Sequence, residues 1–327
     1  DAYLNENTHW WDGSQIYGSD LATSNSIREF QGGRLTVNAD GSLPTEFMSG
    51  VPVTGFNDNW WLGLSMMHQL FVNEHNAIAD MLASNYPTQD DQWLYDKARL
   101  VNAALMAKIH TVEWTPAIIA NPITERAMYA NWWGLAGNTE NRDKYAAEFD
   151  ELAADLARRD SWTRRILGFD PKMEEALDNG KALEWALTGL AGARHSDNAG
   201  VPFTLTEEFV AVYRMHPLLR DNVDVYDIGS NVVSEQIPLN ATRDGNAEQI
   251  LDDQDADRLW YSFGVTLPGS LTLENYPEFM RNMHIPGRGT VDLAAIDIIR
   301  DRERGVPRYN EFRRQIGLEP INDFTDL

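Results

Sequence analysis

The chain has 327 residues, of which 43% are hydrophobic, and this is enough apolar material for one large core or two smaller ones. Its formal net charge of -23 at pH 7 disfavours binding to nucleic acid or to anionic membrane surfaces. There is no cysteine, which excludes disulfides and thiolate ligands, and there is no apolar run long enough for a membrane-spanning helix. Nothing indicates an oxidising compartment, so we expect an intracellular protein that is soluble or peripheral.

A polar loop near the start of the chain offers ligands for a hard cation. Thr8, Asp12 and Ser14 place oxygen-bearing side chains at alternating positions, with the backbone carbonyl of Trp10 between them. Such oxygen ligands suit calcium. The spacing is not that of an EF-hand and one carboxylate is too few, so a polar loop packed over tryptophans is the simpler interpretation of these residues alone.

Two long helices are predicted in the first third of the chain, over residues 60–82 and 93–114, because apolar residues recur there at helical spacing. His110 and Thr115 lie where the second helix closes. Pro116 should prevent much further winding, so both side chains can face a cavity. From spacing alone, His110 is better explained as a core histidine with satisfied nitrogens.

The middle of the chain is rich in charge. Acidic and basic residues interleave with alanine and leucine over residues 138–187, which predicts a solvated helical insertion within a single domain spanning residues 1–327. Short β-like pieces are predicted at residues 265–276. Since helical patterns dominate elsewhere, the expected fold class is all-α with minor short strands. No nucleotide-binding or serine-hydrolase motif is present.

A further helix is predicted to begin at Thr204 or Thr206, and it places Tyr213 and His216 three residues apart on one face. Pro217 should kink or end this helix just past the histidine. Imidazole is the usual axial ligand of a b-type haem, and a nearby phenol can give an electron to an oxidised haem. Without other support, two satisfied core residues explain the pair better.

The segment 292–314 predicts a helix, a Gly-Val-Pro break and a second helix. It holds six arginines in 23 residues, although the chain as a whole is acidic. A guanidinium group binds a carboxylate in a bidentate geometry. These arginines therefore form salt bridges or hold the propionates of a haem.

Together these segments resemble the peroxidase-cyclooxygenase superfamily of haem proteins, and within it the fatty acid α-dioxygenases. The resemblance runs almost end to end. The matching segments are Trp-Trp-Asp-Gly-Ser-Gln-Ile-Tyr-Gly at 10–18, Gly-Phe-Asn-Asp-Asn-Trp-Trp at 55–61, His-Gln-Leu-Phe-Val-Asn-Glu-His-Asn at 68–76, Lys-Ile-His-Thr-Val-Glu-Trp-Thr at 108–115, Val-Tyr-Arg-Met-His at 212–216, and Arg-Asp-Arg-Glu-Arg-Gly at 300–305 with Tyr309-Asn310.

The resemblance implies a haem site in the second half of the chain. His216 is the expected proximal ligand of the haem iron, and Tyr213 is the expected site of a tyrosyl radical. Asp297 should hydrogen-bond the proximal imidazole and make it a stronger donor to iron. Arg300, one turn further along, is expected to bind a haem propionate.

The resemblance also implies substrate and calcium ligands in the first half. His110 and Thr115 match the positions that hold the carboxylate of the fatty acid. The calcium loop of the family matches Thr8, the carbonyl of Trp10, Asp12 and Ser14. Mammalian peroxidases ester-link their haem through a Glu-Met pair, and Trp60 and Trp61 stand at that position here, so the expected cofactor is haem b held without covalent bonds.

The implied reaction oxygenates a fatty acid at its α-carbon, with dioxygen as co-substrate and hydrogen peroxide as activator. A radical on Tyr213 removes a hydrogen from that carbon, and the product is a 2-hydroperoxy fatty acid. Two alternatives remain, a haem peroxidase that oxidises small donors and an inactive haem-binding module. The family has a distal histidine before the calcium loop and further residues after the segment that ends at Leu327, so we expect this chain to be a fragment; no oligomeric state is indicated.

Overall fold

The structure is a computed structural model that describes residues 8, 10–134, 209, 211, 213–270, 272, 275–285, 287, 289–315 and 317–326. The chain divides into two compact units, one of residues 1–10, 14–95 and 204–327 and one of residues 11–13 and 96–203. The described residues are mainly helical with two short sheets, so the predicted fold class is confirmed. The single domain stays a prediction, and the charged insertion at 138–187 lies outside the described residues.

Four of the helices were predicted: the two long ones in the first third of the chain and the two in the segment 292–314. Two are long, and both contain apolar residues at helical spacing. No helix of the described residues is long and apolar enough to span a membrane. In chain order the α-helices of the described residues are α1 (Ser14–Tyr17), α2 (Leu21–Ser26), α3 (Leu62–Asn85), α4 (Asp91–Ile109), α5 (Thr115–Ile118), α6 (Pro122–Trp133), α7 (Asn246–Asp253), α8 (Ala256–Val265), α9 (Glu278–Arg281), α10 (Leu293–Glu303) and α11 (Tyr309–Gln315).

Helix α4 does not stop where the sequence predicts. A π-helical turn, His110–Trp114, follows it directly, and α5 then continues to Ile118. Winding ends at Ile118, two residues past Pro116, which agrees with the expectation that Pro116 prevents much further winding. The proline lies in the first turn of α5, directly after the π-helical turn.

The strands lie outside the predicted segment. Strand β1 (Asn222–Tyr226) pairs antiparallel with β2 (Val233–Pro238), and β3 (Met283–Ile285) pairs antiparallel with β4 (Gly289–Val291). The described residues of 265–276 contain no strand, because α8 extends to Val265 and the following residues pack as an irregular segment.

A buried core joins the start of α3 to the β1–β2 hairpin and to α7 and α8. Its members are all less than a tenth exposed: Trp60, Leu62, Met66, Val223, Val225, Leu239, Ala247 and Leu259. Burial of this apolar surface fixes β1. Since β1 directly follows the segment that carries Tyr213 and His216, the core also anchors one end of that segment.

Helix α10 presents Asp297 and Arg300 three residues apart, and such residues are neighbours on one helical face. Asp292 caps its first turn by accepting a hydrogen bond from the backbone N–H of Ala295 at 3.1 Å. Gly305, with φ of 77°, turns the chain after the last helical residues. The predicted helix, break and second helix are confirmed.

Candidate haem site

The segment that carries Tyr213 is not one continuous helix. Phe209 and Ala211 are helical, and the backbone N–H of Tyr213 donates to the carbonyl of Phe209 at 2.8 Å, but Tyr213 itself lies in a turn. A separate 3-10 turn follows at His216–Leu218. The predicted helix through the histidine is therefore wrong at this end, because Pro217 has no N–H for the carbonyl of Tyr213 and the chain leaves the helix a turn earlier. Its predicted start lies outside the described residues.

His216 is held through one ring nitrogen. Its Nδ1 lies 3.0 Å from Oδ2 of Asp297 and 2.9 Å from the hydroxyl of Tyr276. Tyr276 donates its own proton to Oδ2 of Asp297 at 3.2 Å. An ionised carboxylate only accepts hydrogen bonds, so Nδ1 must carry the imidazole proton. Nε2 is then the nitrogen that can coordinate a metal ion.

Arg214 completes the contacts of Asp297. Its Nη1 pairs with Oδ1, the oxygen that His216 and Tyr276 do not use. Asp297 is only 7% exposed, so its charge requires these partners. Burial, and then the charge of Asp297, raises the pKa of Tyr276 above its usual value, which keeps the phenol protonated as a donor.

One cavity of about 450 Å³ brings the predicted residues together. This volume lies within the range of small-molecule and cofactor sites. Tyr213 lies at its wall, 43% exposed, with its ring stacked 5.1 Å from that of Phe209. The cavity is lined by Phe209, Tyr213, Arg214, Met215, His216, Leu293, Asp297 and Arg300.

These residues suit a haem. An imidazole whose Nδ1–H is held by a carboxylate is the arrangement that orients a metal-binding histidine. Arg300 places a cation at the same cavity, as a propionate requires. Phe209 and Leu293 supply apolar walls for a porphyrin face.

The predicted substrate residues lie in the other unit. The ring of His110 stacks 5.1 Å from that of Trp114 and lies 4.9 Å from that of Trp11. The hydroxyl of Thr115 donates to the carbonyl of His110 at 2.7 Å. The two residues are therefore coupled through the π-helical turn, and their role in binding a carboxylate stays a prediction.

The predicted calcium ligands show contacts of their own. Oγ1 of Thr8 accepts a hydrogen bond from the backbone N–H of Trp10 at 3.1 Å, and Ser14 begins α1. The carboxylate of Asp12 lies 3.8 Å from the guanidinium of Arg99, whose nitrogens also donate to the carbonyl of Asp12 at 3.2 Å. Arg99 therefore already offsets part of the one negative charge in the set. Calcium stays a prediction.

Two residues of the site, Arg214 and Tyr276, were not predicted from the sequence. Arg214 lies between Tyr213 and His216, and a lone cation in an apolar stretch was a signal that a buried anion faces it. Tyr276 lies in an irregular segment 60 residues from His216 and carried no sequence signal.

The family model described as animal haem peroxidase matches residues 1–156 and 160–327. The chain therefore belongs to the animal haem peroxidase family. This agrees with the helical fold and with the imidazole–carboxylate pair at the cavity.

Within this family the chain is similar to fatty acid α-dioxygenases, as its motifs predict. Alpha-dioxygenase 2 of Arabidopsis thaliana is 36% identical over 99% of this chain and 48% of the relative, and alpha-dioxygenase PIOX of Nicotiana tabacum is 37% identical over 99% and 47%.

A crystal structure of the Oryza sativa fatty acid α-dioxygenase superposes with a TM-score of 0.76 at 34% identity, covering 99% of this chain and 49% of that chain. A crystal structure of a tyrosine-to-phenylalanine variant of the rice enzyme, with palmitic acid, has a TM-score of 0.74 at 32% identity, covering 97% and 48%. The chain spans about half the length of these relatives.

Proposed function

We propose that this protein oxygenates fatty acids at the α-carbon, using a haem b bound by His216 and a radical on Tyr213. One observation carries the proposal: Tyr213 and His216 line one cavity, while the carboxylate of Asp297 hydrogen-bonds Nδ1 of the imidazole. The similarity to fatty acid α-dioxygenases supports this choice of reaction. The related rice structure with palmitic acid supports a long-chain saturated acid as substrate.

His216, Asp297 and Arg300 would hold the haem. Nε2 of His216 would bind the iron, and Arg300 would pair with a propionate. No ester link between the protein and the haem is expected, since Trp60 stands at the position of the Glu-Met pair and is fully buried in the core. When bound, the haem supplies, after reaction with hydrogen peroxide, the oxidising equivalent that takes one electron from Tyr213.

Tyr213 would carry the hydrogen transfer. Partial burial raises the pKa of its phenol, so the group is protonated near neutral pH and loses a proton together with the electron. The phenoxyl radical takes a hydrogen atom from the α-carbon and becomes a phenol again. Dioxygen adds to the carbon radical, and the peroxyl radical recovers a hydrogen atom from the phenol. The product is a 2-hydroperoxy fatty acid, and the radical is restored.

The carboxylate of the substrate would be held by His110 and Thr115. An acidic protein needs a local donor for an anion, and a positioned head group selects the carbon that reacts. Thr115 donates its proton to the carbonyl of His110, so a bond to the substrate requires its hydroxyl to turn away from that carbonyl. We further propose that calcium binds the loop of Thr8, Trp10, Asp12 and Ser14.

Oxygen uptake with palmitic acid tests the radical role. We expect Tyr213→Phe to abolish uptake while the Soret band of the haem is kept, because the variant loses only the oxidisable hydroxyl. Tyr86→Phe is the matched control, since Tyr86 is half exposed at the end of α3, and it should keep full uptake.

Three other outcomes contradict the proposal in different ways. Unchanged uptake in Tyr213→Phe refutes the radical role. Peroxide-dependent oxidation of a dye without oxygen uptake identifies a peroxidase of small donors. A Soret band with neither activity identifies an inactive haem-binding module.

A further inference from the structure

An irregular segment holds the turn of His216 from one side. We name it the strap; its described residues are 266–270, 272 and 275–277. The backbone N–H of Gly269 donates to the carbonyl of Leu218 at 2.9 Å, and Nδ2 of Asn275 donates to the carbonyl of Pro217 at 3.2 Å. A Cβ on Gly269 would lie 2.0 Å from the carbonyl oxygen of Pro217, so the strap packs with its backbone directly on this turn.

The strap also places Tyr276 in contact with the imidazole of His216. Tyr276 follows the anchored Asn275, and its hydroxyl reaches both Nδ1 of His216 at 2.9 Å and Oδ2 of Asp297 at 3.2 Å. Its ring meets the imidazole edge-on, with centroids 5.7 Å apart at 73°. Two hydrogen bonds from the strap to backbone carbonyls of the turn, two polar contacts of the phenol and one ring contact therefore fix the phenol against His216.

Asp297 thus shares its negative charge among three donors. Arg214 binds Oδ1, while His216 and Tyr276 share Oδ2. Each added donor draws electron density from the carboxylate and weakens its pull on the Nδ1 proton. The strength of that pull sets how much anionic character the imidazole has, and hence how strongly Nε2 donates to a metal.

We propose that Tyr276 is a positioning residue that limits, through Asp297, the electron donation of His216 to a haem iron. The proposal rests on the proposed role of His216 as the iron ligand. Tyr276 is not among the described residues that line the cavity. Arg214 acts on the same carboxylate from its other oxygen, so loss of either partner should change the imidazole in the same direction.

Resonance Raman spectroscopy and redox titration of the haem-loaded protein test this. In Tyr276→Phe, Asp297 loses one donor and pulls harder on the Nδ1 proton. We expect the iron–imidazole stretching band of the ferrous form to shift to higher frequency, and the ferric/ferrous potential to become more negative. Tyr261→Phe is the matched control, because it also loses a phenol hydrogen bond, to Asn231 at 2.9 Å, and it should leave both readouts unchanged.

Arg214→Gln provides the second variant and should shift both readouts in the same direction as Tyr276→Phe. If Tyr276→Phe does not fold or does not retain haem, Arg214→Gln alone tests the proposal. Loosening of the site alone would lower the band frequency, so a lowered or unchanged band in the variants overturns the proposal. An iron–imidazole band that persists in His216→Ala instead overturns the proposed function, which separates the two failures.

Discussion

Nδ1 of His216 lies 3.0 Å from Oδ2 of Asp297, a contact between residues 81 positions apart in the sequence. The contact joins the 3-10 turn to α10, so two separate elements must fold before the imidazole is oriented. Because the carboxylate accepts a hydrogen bond from the Nδ1–H group, the tautomer that leaves Nε2 unprotonated is stabilised. The proposed iron ligation by His216 requires this tautomer.

Replacing the carboxylate should weaken haem binding. In Asp297→Asn the charge that holds the Nδ1 proton is lost, and Arg214 loses its ion partner. Loss of such a partner typically lowers metal affinity roughly 10–100-fold, and we expect a decrease of that size in a haem titration followed by Soret absorbance. Asp301→Asn, one turn along α10 and outside the contacts of His216, is the control. Equal affinities in the two variants would contradict the role of Asp297.

The sequence was sufficient for the residues that lie in continuous motifs. Tyr213 and His216 share a five-residue motif, and Asp297 and Arg300 share one helical face; all four line one cavity, although the helix predicted to carry the first pair ends before His216. Tyr276 could not be found in this way, because its position depends on how the strap packs against the 3-10 turn. That packing is a tertiary contact without periodicity in the sequence.

The same limit explains the errors in the fold. Helix α3 was predicted within a few residues, because its apolar period extends over six turns. The β1–β2 hairpin was missed, since β2 is mostly exposed and gives no alternating pattern, while Val223 and Val225 are buried only through contact with α3, α7 and α8. Tertiary burial, not local propensity, defines these strands.

The strap should be sensitive to a single methyl group. Gly269→Ala places a Cβ 2.0 Å from the carbonyl oxygen of Pro217, so the strap must move away from the turn. We expect a lower urea midpoint and a shifted iron–imidazole band, measured by denaturation and by resonance Raman. Gly264→Ala, inside α8 with no atom within 4 Å of the added Cβ, should be neutral or stabilising by up to about 1 kcal/mol. A Gly269→Ala protein with unchanged midpoint and band would show that the strap does not press on the turn.

His68 should make the protein less stable in mild acid. It is 4% exposed on α3, with Nδ1 3.1 Å from Oγ1 of Thr54, and burial lowers its pKa to about 4. The unfolded chain takes up this proton near pH 6.5, so between about pH 6.5 and 4 the unfolded state binds more protons. The free energy of unfolding should therefore fall as the pH falls through that window, by roughly 2 kcal/mol from this residue at pH 5.

Urea denaturation of His68→Gln at pH 7 and pH 5 measures this contribution, because the variant cannot titrate at that position. We expect a smaller loss of stability between the two pH values than in the unchanged protein. His284→Gln, which replaces an exposed residue of β3, is the control and should keep the original pH dependence. An identical pH dependence in all three proteins would contradict the assignment to His68.

Thr115 allows the proposed carboxylate site to be tested apart from the helix that carries it. Thr115→Val removes the hydroxyl that donates to the carbonyl of His110 at 2.7 Å, and Thr111→Val removes an equivalent hydroxyl that donates to the carbonyl of Ala107 at 2.8 Å. Both variants lose a bond of the same kind within one stretch of helix. A hydrogen bond to a charged group contributes roughly 1.5–3 kcal/mol, so loss of a contact with the substrate carboxylate should raise the KM for palmitic acid roughly 10- to 100-fold. We expect that increase in Thr115→Val alone, measured by oxygen uptake, because only this hydroxyl is proposed to reach the substrate. A KM that rises equally in both variants would mean that the helix, and not the hydroxyl of Thr115, determines substrate binding.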